Sequence, residues 1–385
     1  MAPSAEAWFL YPGQTGELGN PAVLTRARFE LPPLGPKDVL AEPLYGCWEA
    51  NMTHAVIRKP IDVCRQRGED RVILGNAGVV RVLDAGRDVT SVEPGQFAML
   101  VPASVLDQWG YPDKILGYDA PGTMGCLCTR MQLKEHELLA LPEGTRFSLP
   151  QWAAFSVRFV TAWSNWELAY GTFRLLVRND ELPDPHIWGW GGGTTLAELS
   201  LAGRFGCRPV MLSGSDCHLS TIAAYGVTPL DRRIFQMPPF DEARFASDAN
   251  YRREYNTAEL AFLREVKART NGQMIQVFID YIGSPVLRAT MKALGRESVI
   301  TTAGWKEGMV THFLRSTECI ARHQHIHTHY ARRSQAACAM NYAEQSGWMP
   351  TLDEPIVSFE QVPDLCARCV AGSAGYFPVF SVNTM

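Results

Sequence analysis

The sequence has no apolar run near the roughly 20 residues that a membrane-spanning helix requires, so no membrane partner is expected. It also lacks a charge excess. Its 36 Lys and Arg against 40 Asp and Glu leave a formal charge of −4, with no long basic run. Nucleic acid, which binds to concentrated positive charge, is therefore not an expected partner. The N-terminal stretch MAPSAEAWFLYPG has neither a basic segment nor a long apolar one, so no signal peptide and a cytoplasmic setting are expected. Cysteine is sparse enough to read as reduced thiols: 10 are scattered along the chain. The close pairs Cys126/Cys128 and Cys366/Cys369 lie too far apart to complete a four-ligand zinc lobe, and read as small buried hydrophobes. No internal repeat and no low-complexity segment is present.

What is present is a 385-residue chain, 46% hydrophobic, long enough for two domains. The organising stretch is His186 to His218. A short apolar run, His186-Ile187-Trp188, leads into Gly189, Trp190, Gly191, Gly192, Gly193 and Thr194. Leu196, Leu199, Leu201, Ala202 and Phe205 follow at helical spacing, Gly206 stops them, and Pro209-Val210-Met211-Leu212 reads as a second strand. Strand, glycine turn, helix and strand make a dinucleotide-binding βαβ unit. Glycines let the backbone approach a pyrophosphate, and the helix directs its first N–H groups at that charge.

Before this stretch, short strands alternate with proline turns (Glu6–Leu10, Arg26–Glu30, Asp38–Glu42), a β-rich pattern that ends near Gly144. A helical period begins at Pro150 and runs to Tyr170. Beyond the organising stretch the spacing predicts a short strand at Arg233–Gln236, an exposed polar insertion from Pro238 to Thr257, and a helix over Glu259–Thr270. A strand at Met274–Asp280, a helix at Leu287–Leu294 and a strand at Ser298–Ala303 follow, with a closing strand at Pro378–Val382. Alternating strands and helices argue for a parallel, doubly wound sheet, and the whole chain for the α/β class.

This order resembles the medium-chain dehydrogenase/reductase superfamily. The resemblance implies a GroES-like β-rich catalytic domain over 1–159 and 346–385, and a Rossmann coenzyme-binding domain over 160–345. The zinc alcohol dehydrogenases of that superfamily hold a catalytic metal through a Cys, the His of a Gly-His-Glu motif, and a later Cys or Asp. Here Cys47 fills the first position, the second reads Gly75-Asn76-Ala77, and Ser156-Val157-Arg158 offers no ligand. No metal is expected, and the chain is similar to a zinc-free branch.

Within it, crotonyl-CoA carboxylase/reductases are the nearest resemblance, carried by Asn51 in GCWEANMTH, by Gly117-Tyr118-Asp119, and by His327-Thr328-His329-Tyr330. The resemblance implies that Asn51, Tyr118, Asp119 and His329 hold the electrophile beside the substrate, and that Thr302 and Ala303 lie on the strand leading to that site. Asp119 is shorter than the family's Glu, and also suits a plain turn before Pro121-Gly122. Two of the family's three motif glycines are replaced here, by Trp190 and Thr195.

The second strand ends in Ser213-Gly214-Ser215, where an NAD enzyme would place a carboxylate for the ribose 2′-OH. Small residues and hydroxyls there, with His218 following, predict NADPH as cofactor. His323, His325, His327 and His329 alternate, so a strand would put all four on one face. That is either a metal or carboxylate-binding row, or a partly buried face with one functional histidine. The expected activity is reduction of an enoyl thioester carried on CoA or a carrier protein, with or without carboxylation, by a homodimer or tetramer. A zinc-free carbonyl or quinone reductase, and a non-redox biosynthetic protein on the same fold, are the alternatives.

Overall fold

The computed structural model describes residues 4–14, 20–302, 320–328 and 330–383. The chain divides into two compact units, Met1–Val160 with Ala331–Met385, and Thr161–Tyr330. Among the described residues no helix is long and apolar enough to cross a membrane.

The first unit opens with β1 (Ser4–Leu10), which pairs antiparallel with β2 (Thr25–Glu30). Its period of two buries Ala5, Ala7 and Phe9 on one face. The long β3 (Asp38–Cys47) leads to α1 (Ala50–Val56) and α2 (Val63–Arg67). After them come β4 (Val72–Ile73), which adds to β1, then β5 (Gly78–Ala85) and β6 (Phe97–Leu100). The β7 (Ala103–Leu106) and β8 (Pro112–Ile115) hairpin, β9 (Met131–Lys134) and β10 (Leu138–Ala140) complete this part. The main sheet runs β10-β6-β5-β3, with β9 also on β3. The 28-residue α3 (Leu149–Leu176) carries the chain into the second unit.

There β11 (His186–Trp190), α4 (Gly193–Arg204), β12 (Arg208–Ser213), α5 (Asp216–Ala224) and β13 (Thr228–Asp231) wind one half. The other half is α6 (Glu242–Ser247), α7 (Ala249–Arg269), β14 (Ile275–Asp280), α8 (Ser284–Ala293), β15 (Leu294–Thr302) and β16 (His325–Thr328). All neighbours are parallel, in the order β13-β12-β11-β14-β15-β16. Counted from β11 this is 3-2-1-4-5-6, the Rossmann order, with the switch point between β11 and β14. The chain then returns to the first unit through α9 (Arg333–Ser346), α10 (Val362–Val370) and β17 (Val379–Ser381), which pairs with the Cys47 end of β3.

Several expectations change. The return to the first unit comes at Ala331 instead of 346, because α9 is tied there: Arg333 donates to the Leu138 carbonyl (2.8 Å) and Arg146 to the Glu344 carbonyl (2.8 Å). The polar stretch taken as an exposed insertion is helical from Glu242. Asp241 caps α6, while Asp248 caps α7 by accepting from the N–H groups of Asn250 and Tyr251. Its buried face is Tyr251, Tyr255, Phe262 and Val266. Arg233–Gln236 is no strand but part of a 3₁₀ turn over Arg232–Phe235, started by the Asp231 carboxylate on the Arg233 N–H.

Candidate functional site

The glycine turn keeps its shape by an exchange of volume. Trp188 and Trp190 point to one face of β11, where Trp190 packs against Phe278 (5.0 Å between ring centroids) and Phe262 (5.4 Å). Gly189 and Gly191 face the other way, onto Thr195 of α4. A Cβ on Gly189 would lie 2.7 Å from Thr195 Cγ2, and one on Gly191 would collide with Thr195 Oγ1. So the threonine that replaces the last motif glycine is fully buried in space that two other glycines vacate. Gly192 caps α4 and has open space on its Cβ side, and no acidic residue sits in the first turn. The N–H groups of Gly193, Thr194 and Thr195 at the start of this 12-residue helix therefore present positive potential to an uncrowded surface. These residues fit a nucleotide pyrophosphate.

The turn rests on buried polar groups. Asp280, ending β14, accepts from the Ile282 and Gly283 N–H groups (3.0 and 2.9 Å) and from the Thr290 hydroxyl (2.9 Å). Burial raises its pKa, and those donors oppose the rise. Tyr281 follows, its N–H on the Trp190 carbonyl (3.4 Å). Its hydroxyl accepts from Asn165 Nδ2 (2.5 Å) and donates to Glu198 Oε2 (2.6 Å), in the middle of α4. Burial pushes the Glu198 carboxyl up to about 8, against the pull of the Tyr281 hydroxyl.

Next along the sheet, Ser213 ends β12, and its Oγ accepts from the Ser215 N–H (3.4 Å). Ser215 caps α5 by accepting from the His218 N–H (3.5 Å). Thr302 ends β15, while Ala303 lies outside the described residues.

The histidine row is shorter than its spacing suggests. His325 and His327 share a face of β16, next to Val299 and Thr301 of β15. His323 precedes the strand with φ 53° and turns to Glu297 (Nδ1 to Oε1, 3.0 Å), which also lies 3.8 Å from His325 Nε2. Burial lowers the His327 pKa, as does His325 beside it. His329 lies outside the described residues. Among the described residues, no three His, Cys, Asp or Glu side chains are grouped to hold a metal ion.

In the first unit, the end of β3, the start of β5 and the first turns of α3 converge. The Cys47 N–H donates to the Ala77 carbonyl (3.0 Å) and the Gly78 N–H to Ser156 Oγ (3.0 Å). Arg158 reaches across this junction. Its Nε donates to Glu49 Oε2 (3.1 Å), Nη2 to the Trp48 carbonyl (2.6 Å) and Nη1 to the Tyr376 carbonyl. Burial pushes the Cys47 thiol up, and Arg158 works against that. Burial likewise raises Glu49, and the guanidinium pulls it back. Cys47, Asn76 and Arg158 thus offer a thiol, an amide and a guanidinium, the last a cation in its own right. This donor set does not fit zinc.

Asn51 lies in the first turn of α1. Its Oδ1, like that of buried Asn76, has no hydrogen-bond partner among the described residues. Tyr118 is buried, and its carbonyl accepts from Arg67 (3.3 Å). Asp119 Oδ1 accepts from the Ile115 N–H (2.7 Å), closing a turn after β8, while Oδ2 faces Lys114 (3.9 Å). Sequence reasoning did not single out Glu49 or Asn76. Asn76 was in view as the replaced ligand; nothing local marks Glu49, whose partner is 109 residues away.

No family model matches the chain, and no curated protein matches it in sequence. Its fold is that of known structures. A crotonyl-CoA carboxylase/reductase, AntE, in complex with NADP, matches with TM-score 0.80 and 19% identity over 99% of this chain and 95% of that one. The 2-octenoyl-CoA carboxylase reductase CinF, in complex with NADP and 2-octenoyl-CoA, matches with TM-score 0.80 and 15% identity, over 98% and 88%. A thermostable alcohol dehydrogenase from Pyrobaculum aerophilum gives TM-score 0.72 and 16% identity, over 98% and 100%. The architecture expected from the resemblance is met: a GroES-like β-rich unit and a Rossmann unit.

Proposed function

We propose that this chain is an NADPH-dependent oxidoreductase that reduces the C=C bond of an α,β-unsaturated thioester. The observation that carries the reading is the intact βαβ turn. Gly192 is open, Thr195 is accommodated, and no acidic side chain occupies the first turn of α4. The shared fold with NADP-bound carboxylase/reductases supports it.

Bound NADPH supplies a hydride to the β-carbon of the substrate. The chain's own residues bind and orient. Gly189, Trp190, Gly191, Gly192, Gly193 and Thr194 form the pyrophosphate turn, and Ser213, Ser215 and His218 receive the adenosine ribose. Thr302, at the end of β15, and Ala303, next to it in sequence, serve the nicotinamide by the resemblance. The Asn51 amide oxygen lacks a protein partner among the described residues, which suits a group that accepts from substrate or water. Tyr118, Asp119 and His329 hold the electrophile, a proton or CO₂, by the resemblance. The acyl group is carried on CoA or a carrier protein, no zinc takes part, and the working form is a cytoplasmic homodimer or tetramer.

The test is to mix the protein with NADPH and crotonyl- or octenoyl-CoA, with and without bicarbonate. Expected are loss of the reduced-nicotinamide absorbance and a saturated or carboxylated acyl product by mass. No oxidation with any enoyl thioester would refute the reading. One observation favours a carbonyl or quinone reductase instead: the Asp119 carboxylate is already engaged by the Ile115 N–H. Oxidation with quinones or aldehydes alone would decide for that reading. Binding of neither nicotinamide nucleotide would decide for a non-redox role.

A further inference from the structure

We propose that Arg67 and Glu69 are positioning residues for the reaction: they clamp the loop from Gly117 to Thr123 and so fix where Tyr118 and Asp119 stand. This rests on the reading of Tyr118 and Asp119 as residues that hold the electrophile. No spacing in the sequence marks the pair, since the backbone groups that Arg67 holds lie 51 and 56 residues further on.

The clamp starts from a helix that stops in the right place. Asp62 caps α2 by accepting from the Cys64 and Arg65 N–H groups, and Gly68 ends it with φ 68°. Arg67 is the last helical residue, and Glu69 follows the glycine. The left-handed glycine lets side chains two residues apart meet, which a continuing helix would not allow. Arg67 Nε donates to Glu69 Oε1 (3.0 Å) and Nη2 to Oε2 (2.8 Å), a fork against a fork. The Arg67 side chain is fully buried and the Glu69 side chain partly so.

The pair has donors and an acceptor to spare, and the loop takes them up. Arg67 Nη1 donates to the Tyr118 carbonyl (3.3 Å), and Nη2 to the Thr123 carbonyl (2.7 Å). Glu69 Oε1 accepts from the Gly122 N–H (2.8 Å), where the backbone is left-handed at φ 71°. Asp119 therefore lies between two backbone carbonyls fixed by one guanidinium. The loop's own bonds do a different task. Thr123 Oγ1 donates to the Ala120 carbonyl (2.8 Å) and accepts from the Gly117 N–H (3.0 Å), while Asp119 Oδ1 accepts from the Ile115 N–H (2.7 Å). Those bonds close the loop on itself and on the end of β8; Arg67 and Glu69 tie it to α2 and the turn after it. A buried guanidinium is a costly anchor, and apolar packing would hold a helix at less cost. What the ion pair adds is a fixed backbone position, which a reacting group needs to within about half an ångström.

The experiment is steady-state kinetics on the full chain with NADPH and crotonyl- or octenoyl-CoA, with and without bicarbonate, comparing the unaltered protein with Arg67→Met and Glu69→Gln. NADPH affinity is titrated alongside, because the glycine turn lies in the other unit. Arg67→Met is expected to lower kcat about 10- to 100-fold, with KM for the thioester and Kd for NADPH within about twofold of the parent, the signature of a misplaced reacting group. Glu69→Gln keeps the shape of the pair and an acceptor for the Gly122 N–H, and is expected to lose less, about 3- to 10-fold in kcat. If Arg67→Met does not fold, Glu69→Gln carries the test. Folded variants with the parent's kcat overturn the assignment and leave the reductase reading standing. Losses shared equally by kcat, thioester KM and NADPH affinity mark a general loosening of the chain, and overturn it too. An unaltered chain that oxidises no NADPH with either thioester overturns both.

Discussion

Replacing Glu198 with glutamine should make the coenzyme unit more stable, and by an amount that depends on pH. In the folded chain this carboxyl is completely buried in the middle of α4, and its pKa is raised from 4.5 to about 8. A raised carboxyl binds its proton more tightly when folded than when unfolded. Stability is therefore fully present below about pH 4.5 and falls as pH rises, until the folded group also ionises near pH 8. Each pH unit in that window costs about 1.4 kcal/mol. The wild type has thus lost about 3 kcal/mol by pH 7 and about 4 kcal/mol by pH 8. Glutamine has no proton to lose, and its amide oxygen accepts from the Tyr281 hydroxyl as the carboxyl does. Urea unfolding of both proteins between pH 5 and 8 reads the difference, because Asp280, Glu49 and other raised carboxyls cancel in the comparison. The stability gap should widen with pH at close to the stated slope. A gap that stays constant, or a glutamine variant that is less stable at pH 8, would refute the account of Glu198 as a neutral core acid.

Gly191→Ala should destabilise the turn by about 1–3 kcal/mol and weaken NADPH binding, since its methyl group meets Thr195 Oγ1. Thr195→Gly in the same chain should recover part of the loss, and no recovery in thermal midpoint or in titration would count against the exchange of volume. Arg158→Met should cost about 3–5 kcal/mol by leaving Glu49 buried without its cation, and Glu49→Gln combined with it should recover most of that. Equal losses in the single and double variants would disprove the coupling. Dialysis against a chelator should leave activity unchanged, with zinc well below one per chain by metal analysis; activity restored by added zinc would contradict the proposed zinc independence.

The strand–turn–helix–strand of the coenzyme unit was legible because glycine spacing and helical apolar spacing are local signals. The meaning of Trp190 and Thr195 was not. They looked like lost glycines, and the space for Thr195 comes from Gly189 and Gly191, which meet it only once α4 folds back on β11. The early start of α7 was hidden by its polar face, although Asp241 and Asp248 ahead of helix-forming residues were a readable cap signal. Ile234 and Phe235 looked like part of a strand, yet a single carboxylate, Asp231, turns that segment into a 3₁₀ turn. Alternation alone overstated the histidine row, because it carries no information about where a strand begins. Arg158 with Glu49 was out of reach altogether, being a contact between segments far apart in the chain.

The pairing of β17 with β3 bears on how the protein is made. The coenzyme unit is one continuous stretch, and everything it pairs with inside its sheet has left the ribosome once Tyr330 has. The other unit is interrupted. The Cys47 end of β3 pairs with Val379 and Phe380, and Arg158 donates to the Tyr376 carbonyl, all from a segment that follows the coenzyme unit. During synthesis the polar junction of Cys47, Glu49 and Arg158 therefore lacks one strand partner and one carbonyl for its guanidinium until the segment from Tyr376 to Phe380 has been made. The continuous coenzyme unit can mature before the unit whose two segments flank it is closed.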